Sequence, residues 1–147
     1  MSEIKRIEDI IKSEGVYIST TSGISMYPML RDRRDTIVIS PVTERLRKYD
    51  VPLYKKGNSY VLHRIIKVLP DSYVICGDNC ITIEKGIRDG DIIGKLTSFY
   101  RGDKLVHLDS FWYQAYCRLI YAAIPFRISY RRLKGLAYRL FKKNKSK

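Results

Sequence analysis

The amino-acid sequence predicts a mainly β domain with a short N-terminal helix and a helical, basic C-terminal tail, and three observations carry that prediction. Runs rich in Val, Ile, Leu and Tyr recur between Val16 and Asp109, separated by the turn-forming stretches "KKGNS", "PDS" and "RGD". Ile4, Ile7, Ile10 and Ile11 fall at helical spacing with charge on the other side. From Phe111 the pattern turns helical and acidic residues disappear. The organisation expected is an amphipathic helix in 1–15, a β domain in 16–109 and a basic aromatic tail in 110–147. At 147 residues the chain has the size of one ordinary domain, large enough to bury a core without staples.

Taken in order, residues 2–14 read as the helix, stopped by Gly15. "VYIST" reads as a strand leading into the irregular loop "TSGISMYPML", which Gly23 and Pro28 keep out of regular structure. "DTIVISP" reads as a strand closed by Pro41. "VPLYKKGNSYVLHRIIKVLPDSYVICGD" reads as an antiparallel meander of three runs, and "DIIGKLTSFYRGDKLVHLD" as a further hairpin. Beyond Phe111 two helical segments are expected, broken at Pro125.

The formal charge of +13 is concentrated at one end. From Ser110 to Lys147 the chain carries ten of its 28 Lys and Arg and none of its 15 Asp and Glu. A near-neutral body with a cationic tail suits an anionic surface, or is a solvated face. The odd set Cys76, Cys80 and Cys117 has no metal-like pairing, which favours neither a disulfide framework nor a zinc site and fits a reducing compartment. "MSEIKRIEDIIKSEG" lacks the apolar stretch of a secretory signal, and no run late in the chain reaches the ~20 apolar residues of a membrane span. A cytoplasmic or peripheral membrane protein is expected.

Three short motifs stand in order: "SGISMYP" at 22–28, "VLHRIIKV" at 61–68, and "CGDN" at 76–79 followed by Glu84. A serine hydroxyl needs a base to become a nucleophile at neutral pH, and neutral imidazole is the side chain best matched to that task. The chain has two histidines. His63 lies in an apolar run whose alternation sets Val61, His63 and Ile65 on one face, where a histidine is either a satisfied core residue or a rigidly held base. His107 sits beside a charged turn and is expected to be exposed.

"GISMYPML", "RDRRDTIVI", "YDVPLY", "YVLHRIIKV" and "CGDN" resemble, in order and spacing, the serine peptidase superfamily that contains the type I signal peptidases and the LexA-like self-cleaving repressors. The resemblance runs from about Gly23 to Gly94, roughly half of the chain. It implies a bent sheet or half-open barrel, no cofactor and no metal. It implies Ser25 as nucleophile and His63, 38 residues on, as base, as in the endoplasmic-reticulum and archaeal signal peptidases. It implies Glu84, six positions after Asp78, as the carboxylate that orients His63, with Asp78 as the alternative. For Asp78 and Asn79 a turn that ties down its own backbone is the competing reading.

The resemblance also implies an oxyanion site built on the Ser25 backbone N–H. Many bacterial relatives add a hydroxyl two positions before the nucleophile, which here is Gly23, leaving Ser22 as the nearest substitute. Family glycines are replaced in Arg34-Asp35 and Tyr49-Asp50, so non-glycine residues must accommodate those turns. No counterpart of the signal peptidases' N-terminal membrane anchor is seen. Trp112, Arg131, Arg132 and Lys134 of the tail are the expected contacts to an anionic membrane surface, with nucleic acid less favoured. The implied function is a serine endopeptidase of the signal peptidase type acting on a peptide or protein precursor, bound extended with small side chains near the cut. The alternative is a non-catalytic or regulatory LexA-like protein binding a membrane or nucleic acid through its tail, although the roughly twenty residues before the Ser25 loop are few for a DNA-binding module.

Overall fold

The computed structural model describes residues 6–144. Helix α1 (Ile7–Glu14) ends at Gly15, whose left-handed φ of 73° lets its N–H cap the Ile11 carbonyl. Residues 2–5 of the expected helix lie outside the described residues. Strands β1 (Tyr17–Thr20), β2 (Asp35–Ser40), β3 (Pro52–Lys56), β4 (Ser59–Leu62), β8 (Ile92–Arg101) and β9 (Lys104–His107) form one antiparallel sheet in the order β1-β2-β8-β3-β4, with β9 on β8. Strands β5 (Arg64–Val68), β6 (Tyr73–Cys76) and β7 (Ile83–Ile87) form a second sheet. The C-terminal helix α2 spans Phe111–Asn144.

β8 is the spine of the larger sheet. It pairs with β2 along one edge and with β3 and then β9 along the other. Register shifts at Val38/Ile39 and Leu53/Tyr54 add the local bends that curl this sheet into a half-barrel. Gly94 sits at the tightest crossing, where a Cβ would lie 2.6 Å from Ile39 Cγ2 and 2.8 Å from the Ser40 carbonyl. Ile11, Ile37, Ile39, Val51, Leu53, Leu96 and Phe99 fill the concave side. Met26, Met29 and Leu30 join that core, so the loop carrying Ser25 is pinned by its apolar side chains.

Three sequence expectations are corrected. The run "YVLHRIIKV" is not one strand: β4 ends at Leu62 in the large sheet and β5 starts at Arg64 in the small one, with His63 at the crossover. Burial therefore stops alternating, and His63, Arg64, Ile65 and Ile66 are all buried. A strand the sequence did not announce, β7, carries Glu84. Finally, α2 runs unbroken through Pro125. The proline removes one N–H and crowds the carbonyl of Tyr121, but packing before it, with the partly buried Ile128 after it, holds the helical register. Tyr113 and Cys117 are buried before it, and Ile124 packs with Ile66, Val74 and Cys76.

Candidate active site

The Ser25 loop is closed at its ends by Thr21 and Asp35. Thr21 N–H donates to the Asp35 carbonyl at 2.9 Å, and its hydroxyl to the Arg31 carbonyl at 2.6 Å. The Asp35 carboxylate, fully buried, accepts from Arg31 N, Nε and Nη2 at 2.9, 3.1 and 3.0 Å. Gly23, at φ 91°, turns its N–H onto Asp32 Oδ1 at 2.7 Å. That donor is thus committed to the loop itself. Among the described residues the Ser25 N–H makes no hydrogen bond, and Ser22 and Gly23 line the same groove as Ser25.

The other side of the loop is fastened by the Gly77–Asp78–Asn79 turn. Asn79 N–H donates to the Ser25 carbonyl at 2.8 Å and its side-chain amide to the Ile24 carbonyl at 3.2 Å. Gly77 is wedged between serine and histidine. A Cβ there would lie 2.7 Å from the Ser25 carbonyl oxygen and 3.0 Å from His63 Cδ2. The Ser25 carbonyl and the Cδ2 of the His63 imidazole therefore both border Gly77, and a larger residue there would crowd them.

His63 Nδ1 lies 3.1 Å from Glu84 Oε1, both side chains almost out of solvent. A carboxylate accepts, so Nδ1 carries the proton and Nε2 keeps its lone pair, the tautomer a general base requires. Tyr54, fully buried on β3, donates its hydroxyl to the same Oε1 at 3.0 Å and stands 3.3 Å from Nδ1. Lys56 Nζ holds Oε2 at 2.8 Å. Burial pushes the Glu84 carboxyl up, but the hydrogen bonds from Lys56 and Tyr54 outweigh it and hold the group below its ordinary value. Burial pushes the His63 imidazole below its ordinary value, and Glu84 opposes that only in part. Both shifts favour a neutral histidine beside a charged glutamate at neutral pH.

Asp78 does not take the place beside Nδ1. Its carboxylate forms a two-pronged ion pair with Arg64, Nε to Oδ1 at 2.8 Å and Nη2 to Oδ2 at 2.7 Å, and accepts from Tyr116 at 3.0 Å. Arg64, 1 % exposed, also donates to Tyr113 Oη at 2.7 Å, Cys117 Sγ at 2.8 Å, the Tyr49 carbonyl at 3.2 Å and Met29 Sδ at 3.0 Å. One guanidinium thereby joins the Ser25 loop, the glycine–aspartate turn and α2. Tyr49 adopts φ 79° and Arg33 φ 54°, so two non-glycine residues do accept left-handed turns near the positions where glycines are missing.

Ser25, His63 and Glu84 line one groove of about 450 Å³. Its walls come from β1 (Tyr17, Ser19, Thr20) and β4 (Tyr60, Val61, Leu62), the two end strands of the curled sheet's main path, with Met26, Leu30, Ile37 and Leu53 as its floor. The remaining candidates lie elsewhere. His107 is exposed on β9. Trp112, Arg132 and Lys134 are exposed on α2, and Arg131 donates to Asn79 Oδ1 at 3.2 Å. Among the described residues no three of His, Cys, Asp and Glu converge on a metal-sized site, and the three cysteines are unpaired.

Sequence reasoning missed Tyr54, Lys56 and Arg64 as members of this site. Arg64, directly after His63, was the readable signal. A buried arginine demands a carboxylate, and once it takes Asp78 only Glu84 remains for the imidazole. Neither a protein-family model nor a curated protein matches the sequence.

Proposed function

We propose that the protein is a serine endopeptidase that cleaves a peptide or protein precursor bound in extended form. The observation that carries the reading is the Glu84–His63 pair, 3.1 Å apart and nearly buried, fronting the groove that Ser25 also lines. A carboxylate behind an imidazole, in a groove that a loop serine also lines, is what the roles of orienting acid, base and nucleophile require. The resemblance of the motif order to signal peptidases and self-cleaving repressors adds to it.

In the proposed mechanism, Ser25 Oγ attacks the scissile carbonyl carbon while its proton passes to His63 Nε2. Glu84 stabilises the imidazolium through Nδ1–H. The Ser25 N–H meets the developing oxyanion. As the tetrahedral adduct collapses, the C–N bond breaks and the leaving amine takes the proton from Nε2, leaving an acyl-enzyme. A water molecule then gives a proton to Nε2 and attacks the ester carbonyl, and as the C–O bond to Ser25 breaks Nε2 returns the proton to Ser25 Oγ, releasing the acid product.

The groove favours an extended substrate because the two end strands of the curled sheet's main path, β1 and β4, flank it and present backbone groups to an added strand. The apolar floor suits small uncharged side chains beside the cut. Incubating the protein with a diverse peptide mixture and sequencing the products by mass spectrometry tests the reading. Cleavage by the wild type and none by Ser25→Ala is expected. Equal cleavage by both proteins, or peptide binding without cleavage, would overturn it in favour of a non-catalytic binding protein.

A further inference from the structure

The body covers one side of α2 as far as Ile128, and from Ser129 to Arg139 every residue is exposed. Tyr113, Cys117 and Ile124 are buried against it, with Tyr116, Ile120 and Ile128 partly covered. On the opposite side Phe111, Trp112, Leu119, Phe126, Tyr130, Leu133 and Phe141 are exposed, from 65 % at Tyr130 to 80 % at Trp112. At about 100° per residue these side chains share one arc of about 120° with Ala115, Ala122 and Ala137, and no charged residue falls inside it. The stripe runs for about 45 Å at ~1.5 Å per residue. Arg118 and Arg132 lie on one flank of it and Lys134 on the other. An uncharged face this long is not explained by scattered surface apolar residues.

We propose that this outer face of α2 is a docking surface for an anionic lipid bilayer, lying in the interface plane with its aromatic side chains in the headgroup boundary. Charge selects the occupant. The chain from Ser110 to Lys147 carries ten basic and no acidic residues. A second copy laid on the stripe would bring like-charged flanks together, whereas an anionic surface attracts every flank residue. The flanking Arg and Lys lay their methylene stems beside the stripe and keep their charges at headgroup level. Among the described residues no helix is long and apolar enough to cross a membrane, so α2 lies along the bilayer rather than through it.

The inner face of the same helix sets what docking does. Tyr113 and Cys117 hold Arg64, Tyr116 holds Asp78, and Arg131 holds Asn79, which in turn bonds the Ile24 and Ser25 carbonyls. A bilayer seated on the outer face therefore orients the Ser25 groove relative to the membrane plane through a buried connection. The surface itself stands independently of the peptidase reading.

Trp112, the only tryptophan, reports on the stripe directly. The experiment uses the full chain carrying Ser25→Ala, so that its outcome does not depend on catalysis. Sedimentation with phosphatidylcholine vesicles and with vesicles of about 3:1 phosphatidylcholine to phosphatidylglycerol is compared. Binding to the anionic vesicles at least about tenfold tighter, with a blue shift of Trp112 emission, is expected. Phe126→Glu and Leu133→Glu, both on exposed positions, are each expected to weaken binding about tenfold or more at unchanged circular dichroism. Equal affinity for both vesicles, or bound protein with unshifted Trp112 emission, would overturn the proposal. So would a dimer in solution that Leu133→Glu dissolves, since the stripe would then be its seam.

Discussion

Replacing Glu84 by Gln keeps the shape of the side chain and removes the charge behind His63. The imidazolium formed when Ser25 loses its proton would sit 3.1 Å from Oε1, and at an effective dielectric of about 20 that contact is worth about 5 kcal/mol. Lys56, 2.8 Å from the other oxygen, offsets part of it, so a net loss of about 2–4 kcal/mol is expected, or about 30- to 1000-fold in rate. An exposed pair would give less than about tenfold, but with both side chains almost buried this pair is not of that kind. The pH profile separates a functional from a structural role. The base must be neutral, so the rate of Ser25 acylation rises with pH through the His63 pKa, which burial sets below the ordinary histidine value. Glu84 raises that pKa and Lys56 lowers it. Glu84→Gln therefore moves the acid limb to lower pH, and Lys56→Gln moves it to higher pH. Rates of labelling by a fluorophosphonate probe across the pH range measure both. Labelling by Glu84→Gln within about threefold of wild type, or limbs that move the same way in the two variants, would refute the reasoning.

Other substitutions test the surroundings. Gly77→Ala sets a Cβ 2.7 Å from the Ser25 carbonyl, which must displace the loop or the imidazole, and labelling is expected to fall about 100-fold while circular dichroism stays unchanged. Arg64→Lys cannot serve the carboxylate of Asp78 and the Tyr113, Cys117 and Tyr49 acceptors together, and denaturant unfolding is expected to show a loss of about 3 kcal/mol. Burial pushes the Asp35 carboxyl up, but the Arg31 hydrogen bonds and Arg101 outweigh it and hold the group below its ordinary value. Its contribution is therefore full above the unfolded-state value of about 4 and is lost as pH falls from there through the folded-state value. Asp35→Asn is expected to cost about 3 kcal/mol at neutral pH and to flatten the acid dependence of the unfolding midpoint.

What the sequence could announce depended on whether one residue's surroundings were local. β1, β2 and the β8–β9 hairpin were legible because alternation and turn chemistry act between near neighbours. The switch of sheet at His63 was not, since nothing within "YVLHRII" marks where Leu62 leaves one sheet and Arg64 enters another. β7 escaped notice because "IEKGI" carries two charges and a glycine, and it is held as a strand by pairing with β6. The break expected at Pro125 reflected a real local cost, overridden by the packing of Tyr113, Cys117, Ile124 and, in part, Ile128. Within the site, Ser25 and His63 were legible from motif order. The choice between Glu84 and Asp78 stayed open because it depends on Arg64, whose partners come from four separate parts of the chain.

In the proposed mechanism His63 activates Ser25 as a nucleophile. The most direct measurement is the labelling rate of a fluorophosphonate probe on wild type, His63→Ala and Ser25→Ala at neutral pH, with the modified residue located by mass spectrometry. Labelling of wild type at Ser25, a rate lower by at least about 100-fold in His63→Ala, and none in Ser25→Ala are expected. Equal labelling of all three proteins, or modification of wild type at a residue other than Ser25, would contradict the mechanism.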